Sequence, residues 1–118
     1  MNAEKKAIEA FVSRFKGTYK KLGPSDIDYR VYDEGGELIA YVEVGVIKKK
    51  MVDAYPLPMM ARKVVKLCDK RLNPTIIWSC LDGIIYGKVY DLSGATSLGD
   101  GEVMMYYKNS KQFKYIRF

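Results

Sequence analysis

Asp26-Ile27-Asp28-Tyr29-Arg30-Val31-Tyr32-Asp33-Glu34-Gly35-Gly36-Glu37-Leu38-Ile39-Ala40-Tyr41-Val42-Glu43-Val44-Gly45-Val46-Ile47-Lys48-Lys49-Lys50 is the stretch that decides how this chain is read. Residues 27–33 alternate, with Ile27, Tyr29 and Val31 on one face and Asp28, Arg30 and Tyr32 on the other. Asp33-Glu34-Gly35-Gly36 reads as a hairpin turn whose glycines supply positive φ. Residues 37–47 form a second strand with Leu38, Ala40, Val42, Val44 and Val46 on one face. Ile39, Tyr41, Glu43, Gly45 and Ile47 take the other. Both faces are largely apolar, which predicts a central strand covered on both sides. Glu43 sits inside that apolar run and needs a reason to be there.

Parity lets Asp28 and Glu43 share a face near the open end of the hairpin. Two carboxylates brought close repel, and the repulsion is relieved by a proton, a basic partner or a cation. A divalent cation would also bring chemistry, because it polarises a phosphate and acidifies a bound water. The plainer reading leaves Asp28 exposed at a strand start and pairs Glu43 with a lysine.

Outward from the hairpin, residues 3–16 read as a helix. Ala7, Ile8, Phe11, Val12 and Phe15 keep helical spacing and Gly17 stops it. Glu9 lies beside that apolar stripe, either solvated or leaning towards a site at the sheet's rim. Residues 17–25 read as a loop broken by Gly23 and Pro24. Lys48-Lys49-Lys50 closes the second strand with positive charge, and residues 51–58 form a loop. A basic helix is predicted over 59–72, with Arg62, Lys63, Lys66, Lys70 and Arg71 outward and Asn73-Pro74 ending it. Thr75–Cys80 reads as a buried strand and Ile84–Leu92 as its antiparallel neighbour. Residues 93–101 read as a Gly/Ser-rich loop, and 103–107 and 113–118 as short strands. The helix between the hairpin and the strand at 75–80 implies a parallel neighbour for that strand. The fold class is α/β: one domain over residues 1–118, its central mixed sheet flanked by helices, in the order α-β-β-(β)-α-β-β. The core spans about residues 5–92, with a C-terminal β extension over 93–118.

Composition narrows the chemistry. The 118 residues carry a net charge of +6, which suits a polyanionic partner. There is no histidine, so a Ser-His-Asp triad, a Cys-His dyad and His-ligated metals are excluded. What remains for a metal is a hard cation on oxygen ligands, such as Mg²⁺. Cys68 and Cys80 read as reduced, buried thiols of a cytoplasmic protein. No apolar run approaches the ~20 residues of a membrane span, and the N-terminus does not read as a signal peptide.

The layout resembles the PD-(D/E)XK nuclease superfamily: a helix, an Asp at the head of a strand, a Gly-rich turn, a strand carrying E-x-K, a helix and a strand. Pro24-Ser25-Asp26-Ile27-Asp28 matches the first motif and Tyr41-Val42-Glu43-Val44 the approach to the second. Residues 54–63, with Thr75-Ile76-Ile77-Trp78-Ser79-Cys80 and Ile84-Ile85-Tyr86 beyond, resemble small phage-type, Holliday-junction-resolvase-like members. The resemblance implies a restriction-endonuclease-like fold and a Mg²⁺- or Mn²⁺-dependent DNA endonuclease. It implies metal ligation by Asp28 (with Asp26 its rival), Glu43 and the Val44 carbonyl, and an outer-shell role for Glu9. It also implies in-line attack of water that leaves 5′-phosphate and 3′-hydroxyl ends.

The chain departs from the motif at Gly45, where the lysine should stand. That lysine would orient or deprotonate the attacking water and offset transition-state charge. Lys63 (or Arg62) on the following helix is placed to replace it, and Lys48 is a second candidate. Without either, the domain is a nucleic-acid-binding or assembly module on the same fold, or a structural homo-oligomer. DNA backbone contacts are expected from Lys48, Lys49, Lys50, Arg62, Lys63, Lys66 and Lys70. A domain this small that cuts both strands is expected to be a homodimer. The tail aromatics Tyr106, Tyr107, Phe113, Tyr115 and Phe118 read mainly as packing residues.

Overall fold

In a computed structural model, residues 2–23, 27–69, 72–89, 95–99, 103–107 and 113–118 are described. The hairpin forms as its pattern requires. β2 (Tyr29–Tyr32) pairs antiparallel with β3 (Leu38–Val46), and β3 is central in a mixed six-stranded sheet of order β1-β2-β3-β5-β6-β9. At the turn only Gly36 takes positive φ, at 85°. Asp33 does the rest: its carboxylate accepts the Glu37 N–H at 2.9 Å and its carbonyl accepts the Gly36 N–H at 3.0 Å.

β5 (Pro74–Ser79) runs parallel to β3, as the intervening helix demands, and is buried along its whole length. β6 (Gly83–Lys88) pairs antiparallel with β5, and β9 (Lys114–Arg117) closes that edge. At the other edge β1 (Thr18–Lys21) pairs with β2, so the loop expected over 17–25 contains a strand. Thr18, Tyr19, Lys20 and Lys21 have weak apolar patterning; β1 is held by its ladder to β2 rather than by local signal.

Helix α1 (Ala3–Ser13) starts at Asn2, whose side chain caps the Lys5 N–H at 2.7 Å. It ends at Ser13, three residues before the expected 16, with Arg14 as its C-cap. The chain then turns through Lys16 at φ 57°. Ala7, Ile8 and Val12 bury against Tyr29, Val31, Val42, Val44, Ile77 and Ile84 on one face of the sheet.

The opposite face packs on α2 (Ala61–Asp69) and on a second sheet of order β4-β8-β7. β4 (Leu57–Met60) replaces the expected first turn of the 59–72 helix, because Leu57 and Met59 alternate into the core while pairing with β8 (Val103–Tyr107). β7 (Ala95–Gly99) stands where a loop was expected. Trp78, Tyr107 and Phe113 meet edge-to-face, with centroids 5.1–5.7 Å apart, and lock the two sheets together. Tyr107 and Phe113 are thus core residues, as expected, while Tyr115 and Phe118 are exposed. Cys80 is a buried free thiol; the Cys68 side chain lies outside the described set. Among the described residues no helix is long and apolar enough to cross a membrane.

Candidate functional site

β-Pairing sets the geometry of the acid pair. Tyr29 faces Val42 and Arg30 faces Tyr41 in the antiparallel register. One step back along β2, Asp28 comes opposite Glu43, on the face that α2 covers. Side chains directly opposite sit ~5 Å apart at Cβ, where like charges repel. The Asp28 carboxylate accepts the Val44 N–H at 2.9 Å, just past the end of the β2 ladder. A strand residue directs its N–H and C=O to the same neighbour. The Val44 carbonyl therefore leaves β3 towards the same gap that Asp28 occupies.

Glu43 is 2% exposed. Lys63, on the first turn of α2, brings its Nζ to 3.6 Å from Glu43 Oε2. This is a charge contact beyond hydrogen-bond length, and Oε2 receives no hydrogen bond among the described residues. Burial pushes the Glu43 carboxyl up from 4.5 to about 8; its hydrogen bond and charge contact with Asp28 add to that, and Lys63 opposes it. Without a cation, the protonated Glu43 carboxyl bonded to Asp28 relieves the repulsion.

Comparisons with protein-family models, curated proteins and solved structures found no match to this chain. The site therefore has to be read from its own geometry.

The fold brings Asp28, Glu43, Val44 and Lys63 together. It does not bring Glu9 to them. Val42 and Val44 face α1, so Glu43 between them faces away. Glu9 instead lines a surface hollow with Lys6, Ala10, Ser13 and Phe118. The expectation that Glu9 reaches the acid pair fails because the sheet lies between them. Asp26, Lys70 and Arg71 lie outside the described residues. Lys48, Lys49 and Lys50 are exposed beyond the end of β3, away from α2. Arg62 is exposed and bends back to Met60 Sδ at 3.7 Å, whereas its neighbour Lys63 turns inward.

Gly45 has a packing reason. A Cβ there would stand 3.2 Å from the Met59 methyl and 3.4 Å from the Trp78 ring. The Met59 side chain of β4 lies over this position. The strand that closes this position runs straight into α2, the helix that supplies Lys63.

Sequence reasoning missed two basic residues on the acid pair's face. Arg30 stands next to Asp28 on that face of β2, and Lys20 on β1 is its register partner. Parity had put Arg30 on the Asp28 face; Lys20 was hidden in a presumed loop. Burial, with a smaller contribution from Asp82, pushes the Cys80 thiol up to about 11, so it is no thiolate nucleophile near neutral pH.

Proposed function

We propose that this protein is a divalent-metal-dependent endonuclease of the PD-(D/E)XK type, hydrolysing phosphodiester bonds in DNA. The observation that carries the reading is the convergence of Asp28, buried Glu43 and Lys63 at the end of the β2 ladder. The element order supports it: helix, Asp at a strand head, Gly turn, Glu-bearing strand, helix, then a strand parallel to the Glu-bearing one.

Two carboxylates and one carbonyl are the donors offered to Mg²⁺ or Mn²⁺; among the described residues no group of three or more acidic or thiol side chains is gathered for a metal. Glu43 Oε2 is a buried acceptor without a donor, and Asp28 and the Val44 carbonyl face the same gap. All three offer oxygen, which these ions prefer, and Mg²⁺ keeps several waters of its own. When bound, such an ion polarises the phosphate and makes a bound water a stronger nucleophile. The chain's own work is positional. The Val44 N–H fixes the Asp28 carboxylate, and β3 fixes Glu43 opposite it. Lys63, 30% exposed at its side chain, is long enough to leave Glu43 for the phosphate or attacking water. It would there offset the charge that builds up in the transition state, the role that Gly45 cannot fill. One site cuts one strand, so a double-strand break calls for a second copy.

The test is plasmid nicking in Mg²⁺ or Mn²⁺ by wild type, Glu43→Ala and Lys63→Met. The expected result is nicking by wild type and a loss of about 100-fold or more in each variant. Equal nicking by wild type and Glu43→Ala would remove the site. Gly45 favours a second reading, a binding or assembly module that has lost cleavage. It predicts no nicking by any of the three, with salt-sensitive DNA binding retained.

A further inference from the structure

The acid pair is bordered along β2 by a cation pair. Lys20 and Arg30 are register partners on β1 and β2, on the same face as Asp28 and Glu43. Like charges directly opposite destabilise a sheet, as the neighbouring acids do. Neither cation has a carboxylate partner among the described residues. Lys20 is exposed and Arg30 half-buried, its Nε buried with no hydrogen-bond partner among the described residues. The hydroxyls of Tyr32 and Tyr41 flank the guanidinium. Lys21, next in sequence, points to the other face and pairs with Glu4 at 3.7 Å. The lysine that finds an acid is thus the one on the helix side. The face of β1 and β2 bearing Lys20 and Arg30 lies beyond α2, which packs mainly on β3, β4, β5 and β8.

The geometry points to a phosphate subsite formed by Arg30 and Lys20, which holds the phosphate one nucleotide from the scissile one. This rests on the endonuclease reading for what lies at the acid pair. Arg30 stands two residues from Asp28's position on the face, ~7 Å along the strand. One nucleotide of an extended strand bridges such a gap. A guanidinium has five N–H donors, and those the two phenols leave over are available to phosphate oxygens. The phenol oxygens of Tyr32 and Tyr41 accept from the guanidinium and orient it on this face. Backbone contacts thus run from Lys63 across the acid pair to Arg30 and Lys20. The occupant is a single nucleic-acid strand, gripped by charge without base readout.

The test measures binding of a 5′-labelled thymidine decanucleotide by anisotropy, in EDTA, over a range of salt. Wild type, Arg30→Gln, Arg30→Lys, Lys20→Gln and Lys114→Gln are compared; Lys114 is an equally exposed lysine on β9, at the opposite sheet edge. Arg30→Gln is expected to weaken binding about 10-fold and lower the salt slope by about 0.7, one single-strand phosphate contact. Arg30→Lys recovers part of the affinity, Lys20→Gln loses a similar share of slope, and Lys114→Gln changes neither. Unchanged slopes in Arg30→Gln and Lys20→Gln overturn the subsite, as does equal affinity for an oligo-aspartate peptide of matched charge. Should Arg30→Gln fail to fold, Arg30→Lys and the exposed Lys20→Gln still decide it. Binding is read without metal, so loss of the nicking prediction and loss of this one are separate outcomes.

Discussion

Glu43→Gln will flatten the pH dependence of stability in metal-free buffer. The folded protein holds the Glu43 proton up to about pH 8, against an ordinary value of 4.5. A raised folded value means the stability is fully present below pH 4.5 and is lost as pH rises through about 8. Across that window the unfolded chain has released a proton that the folded chain keeps. Each pH unit then favours unfolding by up to about 1.4 kcal/mol. From pH 5 to 7 the loss is roughly 3 kcal/mol, against a total of about 5–15 kcal/mol for a domain. In thermal melts this is a fall on the order of 10 °C. Gln has the shape of protonated Glu, still bonds Asp28, and has nothing to titrate. The variant should match wild type near pH 5 and exceed it by roughly 3 kcal/mol at pH 7. Mg²⁺ at ten times its Kd should then return about 1.4 kcal/mol to wild type at pH 8 and nothing to Glu43→Gln. The assay is urea unfolding at pH 5, 6, 7 and 8, with and without Mg²⁺. Parallel profiles for the two proteins would refute the claim that Glu43 is buried as an acid opposite Asp28.

Two further outcomes test the surroundings of the site. Gly45→Lys should cost about 1–3 kcal/mol in urea unfolding, because its Cβ meets Met59 and Trp78 at 3.2 and 3.4 Å. It should also fail to restore nicking to Lys63→Met; wild-type stability, or such a rescue, would show that the position is open. Trp78→Phe should cost about 1–3 kcal/mol, read by circular dichroism since the chain has one Trp. The indole donates to the Pro58 carbonyl at 2.7 Å, and Phe leaves that acceptor without its donor; unchanged stability would mean the bond does not tie β4 to β5.

How far the sequence reaches depends on how local the cause is. The hairpin, α1 and β5 were legible because period-2 and period-3.6 patterns, a Gly turn and a Gly stop act within a few residues. The parallel pairing of β3 with β5 followed from one crossover helix. β1, β4 and β7 were not legible. Each is short and is a strand through its pairing rather than its own pattern: β1 and β7 pair with the next strand in the chain, β2 and β8, and β4 with the far-off β8. The same limit hid Lys20, and with it the cation pair. Glu9 failed for a related reason. Helical spacing puts it beside an apolar stripe, but only the sheet's two faces tell which side that stripe covers.

Gly45 and Lys63 show what a purely local reading leaves apart. Taken singly, a glycine in a central strand is a weakness, and a lysine on a basic helix is a solvated charge. In the fold they have one cause. β4 crosses the Glu43 face of β3 with Met59 over Gly45, so a Cβ there already meets the Met59 methyl at 3.2 Å. The chain leaves β4 directly into α2, whose first turn carries Lys63 back to within 3.6 Å of Glu43. The strand that crowds position 45 thus delivers a lysine from position 63. A lysine restored at 45 would press on the Met59 methyl and the Trp78 ring, the side chains through which β4 meets this face just before the helix that places the ammonium beside the acids.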